Sequence, residues 1–468
     1  MEREKLGSRL GFILISAGCA IGIGNVWRFP TVAAQNGGGL FVIIYLLFLA
    51  IMGVPIMTME FSLGRASQQS PVKLYQKLEK PGHKWHIHGY FSLAGNVILM
   101  MFYTSVTGWM LQYFIYMLTG KFDGMATSQE VSGVYTGMLE NPGMLILFLA
   151  IVVALGFLVC SFNMQKGLEK VSKIVMLALL GLIVVLVIRS FTLDGAKEGL
   201  SFYLVPNLKG MTFAGFLKIV VAAMNQSFFT LSLGIGSMAI FGSLINKDRA
   251  LMGESVTISI LDTLVAISSG LIIFPAFFTY VGGDAGLTTE QILEKTAGPG
   301  LIFQTLPNVF IHMGAGRFWG TLFFLFMFFA AFSTILAVFQ NILSCTQELF
   351  GWSKKKACLI DAVAIFLLSI PCVLGFNVWS GFAPFGEGSV VLDLEDFIVS
   401  NLLLPAGSLV FVIFCTNKFG WGFDKFMEEA NIGKGIKVQK WMKTYMRFVL
   451  PVIVGVMLIY GIVTKFIP

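Results

Sequence analysis

Charge is what this sequence has least of. Only 12% of its 468 residues are Asp, Glu, Lys or Arg, about half the roughly 25% of an average soluble domain. A soluble surface needs charge to cover it, so the deficit argues against an ordinary soluble enzyme. A hydrophobic share of 56% excludes a disordered chain. Paired cysteine spacing is also missing. Cys19, Cys160, Cys345, Cys358, Cys372 and Cys415 each lie in or beside an apolar run, which reads as packing rather than a disulfide or zinc framework. No small-residue cleavage site follows the first apolar stretch, which runs into Asn25 and Arg28. That stretch is expected to be retained, not removed as a signal peptide.

A bilayer accommodates what soluble folding would not, because lipid-facing surface is apolar. A spanning helix needs about 20 largely apolar residues. Eleven such runs occur, at roughly 9–34, 39–64, 89–118, 143–161, 169–190, 213–242, 251–281, 317–347, 357–375, 396–416 and 444–464. The first, sixth and eighth are long for one straight span, so they are tilted or broken. Residues 301–306 suggest a short outer helix or lid. Residues 417–443, with Trp421, Phe423, Phe426 and Trp441 among lysines, fit a helix on the inner membrane surface. No stretch reads as a separate soluble domain. The whole chain, 1–468, is one transmembrane domain.

The net charge of +7 sorts by loop. Lysines and arginines gather around 65–84, 166–173, 247–249, 354–356 and 425–443. Acidic residues gather around 123–140, 284–294 and 387–395. Under the positive-inside rule the N-terminus is cytoplasmic and, with eleven spans, the C-terminus is extracytoplasmic. Orientation accounts for the positive charge, leaving no support for nucleic-acid binding. The expected location is the cell (inner) membrane, with lipid as a partner.

The first span contains Gly22-Ile23-Gly24 and the sixth contains Gly234-Ile235-Gly236, each flanked by small polar residues. Either pair alone is compatible with close helix packing. Their recurrence at the start of successive five-helix groups (about 9–190 and 213–416) points to an inverted repeat with an unwound first helix in each half. The eleventh helix, about 444–464, is then peripheral. Unwinding frees carbonyls to bind cations and turns helix N-termini toward anions. A dinucleotide fingerprint is excluded, since Trp27 replaces the third glycine and no strand precedes it. His86 and His88 sit in a basic loop without metal-ligating partners.

Four ionisable residues within the spans stand out: Arg28, Glu60, Asp262 and Asp396. Such residues are functional candidates by default. Arg28 and Asp396 either pair across a pathway or are separately hydrated at the interface. Glu60 can brace neighbouring backbone. Asp262 has no basic neighbour in sequence, and a buried carboxylate must be protonated or paired with a cation. A sodium ion fits, because hard cations take oxygen ligands. Ser333 and Thr334 in the eighth span either bond back to their own helix or face a second cation.

These residues resemble the neurotransmitter:sodium symporter family in its bacterial, eleven-helix branch, which has the LeuT fold. Ser8-Arg9-Leu10-Gly11-Phe12, the run Gly22 to Pro30 and Asn36-Gly37-Gly38-Gly39 resemble its helix 1 signature, and Phe228 to Gly234 its helix 6 signature. The resemblance implies a first sodium held by the Ala20 carbonyl, Asn25, Thr230, Asp262 and the substrate carboxylate. It implies a second held by carbonyls of Gly18, Ile21 and Ala330 and hydroxyls of Ser333 and Thr334. Substrate would lie against Ala20, Gly22, Gly24, Leu99, Tyr103, Phe229, Thr230, Ser232, Ile235, Thr334 and Val338. Tyr103 and Phe229 would form the outer lid, with Arg28 and Asp396 above it and Gln226 supporting Arg28. Arg3 and Glu348 would pair at the inner gate, where Leu6 and Leu244 replace the family's Trp and Tyr.

Two departures shape the expected activity. Asp262 stands where most members have Asn, and Ala266 where chloride-dependent members have Ser. Chloride-independent transport is therefore expected, and Asp262 could also take a proton on the return step. Gly22 stands where amine transporters have an acidic residue, leaving room for an α-carboxylate. The expectation is a two-sodium symporter, with no organic cofactor and no enzymatic activity, for a hydrophobic or aromatic amino acid, tyrosine among them. The alternative is a membrane sensor that binds an amino acid without moving it.

Overall fold

The computed structural model describes residues 6–208, 210–282 and 299–466. Its architecture is helical throughout, with isolated bridges and no strand among the described residues. Ten helices are long and apolar enough to span a bilayer, and a bent pair makes an eleventh. We number them α1 (Arg9–Ala20 with Gly24–Gln35), α2 (Gly39–Ser67), α3 (Ile87–Thr119), α4 (Pro142–Ser161), α5 (Gly167–Phe191), α6 (Phe213–Thr230), α7 (Leu251–Tyr280), α8 (Gly316–Phe350), α9 (Lys354–Leu374), α10 (Val391–Thr416) and α11 (Met442–Val463). The fold is an inverted five-plus-five repeat with one added helix. All six cysteines are buried free thiols.

Two of the three long runs are broken. The halves of α1 meet at 55°, because Ile21 leaves the helix for an extended conformation (ψ 105°). Beyond α6 the chain is irregular until a short inner helix, Ser237–Gly242. Ser232, Gly234 and Gly236 have φ of 50°, 99° and 72° there. Left-handed backbone costs little at glycine. Ser232, which has a Cβ, is tied by a hydrogen bond from its Oγ to the Cys19 carbonyl (3.3 Å). The eighth run stays whole, as the 35-residue helix α8. It is the most buried span, and α11 the least, as a central axis and a peripheral addition require.

Glu60 on α2 holds the α6 break. Its carboxylate accepts the Gly234 N–H at 2.6 Å and the Met238 N–H at 3.3 Å, so the bracing reading of this residue describes its contacts. Backbone amides freed by unwinding need such partners at membrane depth.

Both structured connections differ from simple surface helices. Leu301–Thr305 runs into Leu306–His312, and the buried Phe303 lies parallel to Tyr135 (5.7 Å between centroids). Tyr113 also donates its hydroxyl to the Phe303 carbonyl at 2.9 Å. Within 417–443, Phe423–Ala430 is helical and α11 begins at Met442. The first of these docks on the protein, with Phe423 and Phe426 buried. The reason is an ion pair of 2.7 Å between Glu429 and the buried Arg65 of α2. Arg65 also donates to the Arg249 carbonyl.

Candidate functional site

Four helices meet at Asp262, which is fully buried in α7. Its Oδ1 accepts a hydrogen bond from Asn25 Nδ2 of α1 at 2.8 Å. Its Oδ2 accepts from Thr230 Oγ1 of α6 at 3.0 Å and from the Tyr45 hydroxyl of α2 at 3.4 Å. Asn25 Oδ1 accepts the Gly22 N–H at 3.1 Å, which ties this cluster to the break. No lysine or arginine pairs with Asp262 among the described residues. A buried carboxylate amid neutral oxygens suits a hard monovalent cation. Tyr45 was not among the residues singled out from sequence. A lone Tyr in an apolar span carries no local signal.

A second oxygen cluster joins α1 to α8. Thr334 Oγ1 donates to the carbonyls of Gly18 and Ile21, both at 3.1 Å. Ser333 Oγ lies 3.3 Å from the Ile21 carbonyl and 2.8 Å from that of Ala330. So the Ser333 hydroxyl bonds back to its own helix, and both hydroxyls face the α1 break. The five residues expected at a second cation site are in one place, and every ligand atom would be an oxygen.

Between the clusters lies a small cavity of about 20 Å³, lined by Ala20, Gly22, Gly24, Leu99, Tyr103, Phe229, Ser232, Thr334 and Leu404. Tyr103 reaches the α1 break, where its oxygen accepts the Ile23 N–H at 2.8 Å. A Cβ on Gly22 would collide with the hydroxyls of Tyr103 and Thr334. Gly22 therefore permits a close approach that no other residue allows. Eight of the eleven expected lining residues are present. Thr230 turns instead to Asp262. Ile235 and Val338 are buried outside the lining. Ile235 belongs to the unwound segment and its carbonyl accepts from Asn96 (2.8 Å), a contact helical spacing cannot foresee. Leu404 of α10 was missed, since an apolar residue in an apolar span looks like any other.

Above the cavity, Arg28 Nη1 lies 3.6 Å from Asp396 Oδ1. Ser400 bridges them, accepting from Arg28 at 3.1 Å and donating to Asp396 at 2.7 Å. The guanidinium also sits 4.1 Å from the centroid of Phe229. Gln226 does not support Arg28 by a hydrogen bond. Its Nε2 donates to the Gly24 carbonyl at 2.9 Å, because the C-terminal part of α6 lies against the opened turn of α1. Ser400 follows Asp396 by one helical turn, a spacing that could have flagged it.

At the other end, Arg3 lies outside the described residues. Glu348 receives the Ser70 N–H (3.0 Å) and hydroxyl (2.6 Å). The Leu6 N–H donates to the Leu244 carbonyl at 3.4 Å, so the two leucines meet through backbone. Charges there were undercounted from sequence. Glu254 in α7 is buried and pairs with Arg9 at 2.9 Å, and Asp361 in α9 is buried against Thr346 (2.8 Å). Both lie near helix ends, where apolar-window counting overlooks them. No group of three or more metal-ligating His, Cys, Asp or Glu exists among the described residues, and His86 pairs with Glu79 (2.7 Å).

Known proteins resemble this chain in sequence and in overall fold. The sodium:neurotransmitter symporter family matches residues 3–131 and 125–467. An uncharacterized sodium-dependent transporter, YhdH, of Bacillus subtilis (strain 168) is 32% identical over 95% of this chain and 94% of its own length. A sodium- and chloride-dependent taurine transporter of Canis lupus familiaris is 25% identical over 100% of this chain and 79% of its own length. The crystal structure of MhsT in complex with L-phenylalanine superposes with a TM-score of 0.85 at 33% identity, covering 98% of this chain and 100% of that one. A broken-helix site of this kind in a multi-pass membrane protein, with matches along essentially the whole chain, places the protein in the sodium:neurotransmitter symporter family of transporters.

Proposed function

We propose that this protein is a sodium-coupled symporter importing a hydrophobic or aromatic amino acid by alternating access. The observation that carries the reading is the Asp262 cluster, which joins both broken helices around one buried carboxylate. In this reading Ala20, Asn25, Thr230 and Asp262 hold one sodium, completed by the substrate carboxylate beside Gly22. Gly18, Ile21, Ala330, Ser333 and Thr334 hold a second. A ligand shared between ion and substrate makes each strengthen the other's binding equally. Arg28 and Asp396, with Phe229 and Tyr103 beneath, close the outer side.

Substrate class follows from the wall. Leu99, Phe229 and Leu404 are apolar or aromatic, and the MhsT structure is described with L-phenylalanine. Both support an apolar side chain. The charge of Asp262 replaces chloride as compensation for two sodium ions, and Ala266 lacks the hydroxyl that chloride would use. On the return step Asp262, empty of sodium, carries a proton outward. The N-terminus lies in the cytoplasm and the C-terminus outside, as the loop charges direct.

The test is uptake into proteoliposomes under an imposed sodium gradient, screened over all amino acids. Gradient-driven accumulation of an apolar or aromatic amino acid, equal in chloride and gluconate, is expected. Sodium-dependent binding without accumulation would return the protein to the sensor reading.

A further inference from the structure

A second cleft, distant from the broken helices, lies between the Asp396-side end of α3, the start of α4 and the helix Ser128–Leu139. Its volume is about 370 Å³. One wall is nearly bare backbone, because Gly133 and Gly137 face it one turn apart, and a Cβ built on either meets nothing within 4 Å. At its floor Gln112 is completely buried, and its Oε1 has no hydrogen-bond partner. Gln112 Nε2 is already spent on the Tyr116 hydroxyl at 2.6 Å. An amide oxygen buried without a donor costs about 1–3 kcal/mol, so it calls for a donor from outside the chain.

The rim carries one charge of each sign. Lys121 lines it and makes no ion pair among the described residues. Glu130 lines it too. The backbone N–H groups of Ala126 and Thr127 and the Thr127 hydroxyl hold its carboxyl below the usual range, so it stays ionised. The Tyr116 hydroxyl, accepting from Gln112, keeps its own proton to give. The cleft lining therefore combines acceptors, Gln112 Oε1 and Glu130, with the Lys121 cation and the Tyr116 hydroxyl. Below Met144 at its edge, Leu147, Leu155 and Leu158 form an exposed stripe down α4, each more than 40% accessible. That is an apolar surface beside a polar pocket whose lining carries one charge of each sign.

We propose that this cleft binds the headgroup of one phospholipid that carries a primary ammonium, of the phosphatidylethanolamine class, in the leaflet on the Arg28–Asp396 side. The ammonium donates to Gln112 Oε1 and faces Glu130. The phosphate faces Lys121 and the Tyr116 hydroxyl. The acyl chains follow the α4 stripe. A choline headgroup has no N–H to give Gln112 and is disfavoured.

The test is native mass spectrometry of the full-length protein, incubated with phosphatidylethanolamine or with phosphatidylcholine of the same acyl chains. One phosphatidylethanolamine per protein is expected, retained about fivefold or more over phosphatidylcholine, the preference one buried hydrogen bond confers. Gly137→Leu puts a side chain into the cleft from a position where the Cβ meets no protein atom within 4 Å, so it should melt like the parent and lose the bound lipid. Gln112→Leu should keep some lipid and lose the headgroup preference. Soluble phosphoethanolamine should not displace the lipid. Equal retention of the two lipids, full retention in Gly137→Leu, or displacement by soluble phosphoethanolamine would each overturn the proposal.

Discussion

Asn25 and Asp262 are 237 residues apart in the chain, yet the Asn25 amide donates to both the side chain and the backbone carbonyl of Asp262, at 2.8 and 3.1 Å. The unwound turn of α1 is thereby pinned to the middle of α7. Any ion held at this junction senses the position of both helices. That is what coupling between an ion and a moving half-helix requires.

Replacing Asp262 should separate charge from shape. Asp262→Asn keeps the volume and one oxygen but removes the charge. Losing a charge-assisted interaction worth about 1.5–3 kcal/mol should raise the sodium needed for half-maximal uptake by roughly 10- to 100-fold. Adding Ala266→Ser should make the remaining uptake sensitive to chloride. Uptake titrated against sodium, in chloride and in gluconate, reads both effects.

Gly22→Ala should block the substrate site sterically. The new methyl meets the hydroxyls of Tyr103 and Thr334, and overpacking costs about 1–3 kcal/mol. Substrate affinity should fall by tenfold or more. Adding Tyr103→Phe should relieve part of the clash while giving up the Ile23 N–H contact. Equilibrium binding of labelled substrate checks the ranking of parent, double and single variant.

Glu60 supports the opened backbone of α6 and touches no cavity-lining side chain by hydrogen bond. Glu60→Gln leaves one acceptor where two amides need one each, at a cost of about 1–3 kcal/mol. A lower melting temperature together with weaker binding is expected. Unchanged thermal stability in detergent would show that the amides find other partners.

Arg28→Lys should behave almost like Arg28→Ala. The guanidinium reaches Ser400 and Asp396 while lying over Phe229, a combination an ammonium cannot reproduce. Faster loss of bound substrate toward the outer side is expected from both variants, read as dissociation rate after dilution. Ser400→Ala should show a smaller effect, since the direct ion pair remains.

The number of spans, the breaks at the two Gly-Ile-Gly sites and the residues around Asp262 were legible in the chain itself. Hydrophobic length and glycine placement are local properties, and the membrane makes them decisive because unpaired backbone cannot be left in lipid. Folding decided what depends on neighbours distant in sequence. Tyr45 and Leu404 enter the site because α2 and α10 pack beside the breaks, while Ile235 and Val338 are turned out of it. Gln226 bonds the Gly24 carbonyl rather than Arg28, and the helix Phe423–Ala430 is held to the protein through the Arg65–Glu429 ion pair. For Tyr45, Gln226 and Arg65, a buried polar group took a partner that three-dimensional packing offered. Periodicity along one helix carries no record of that choice.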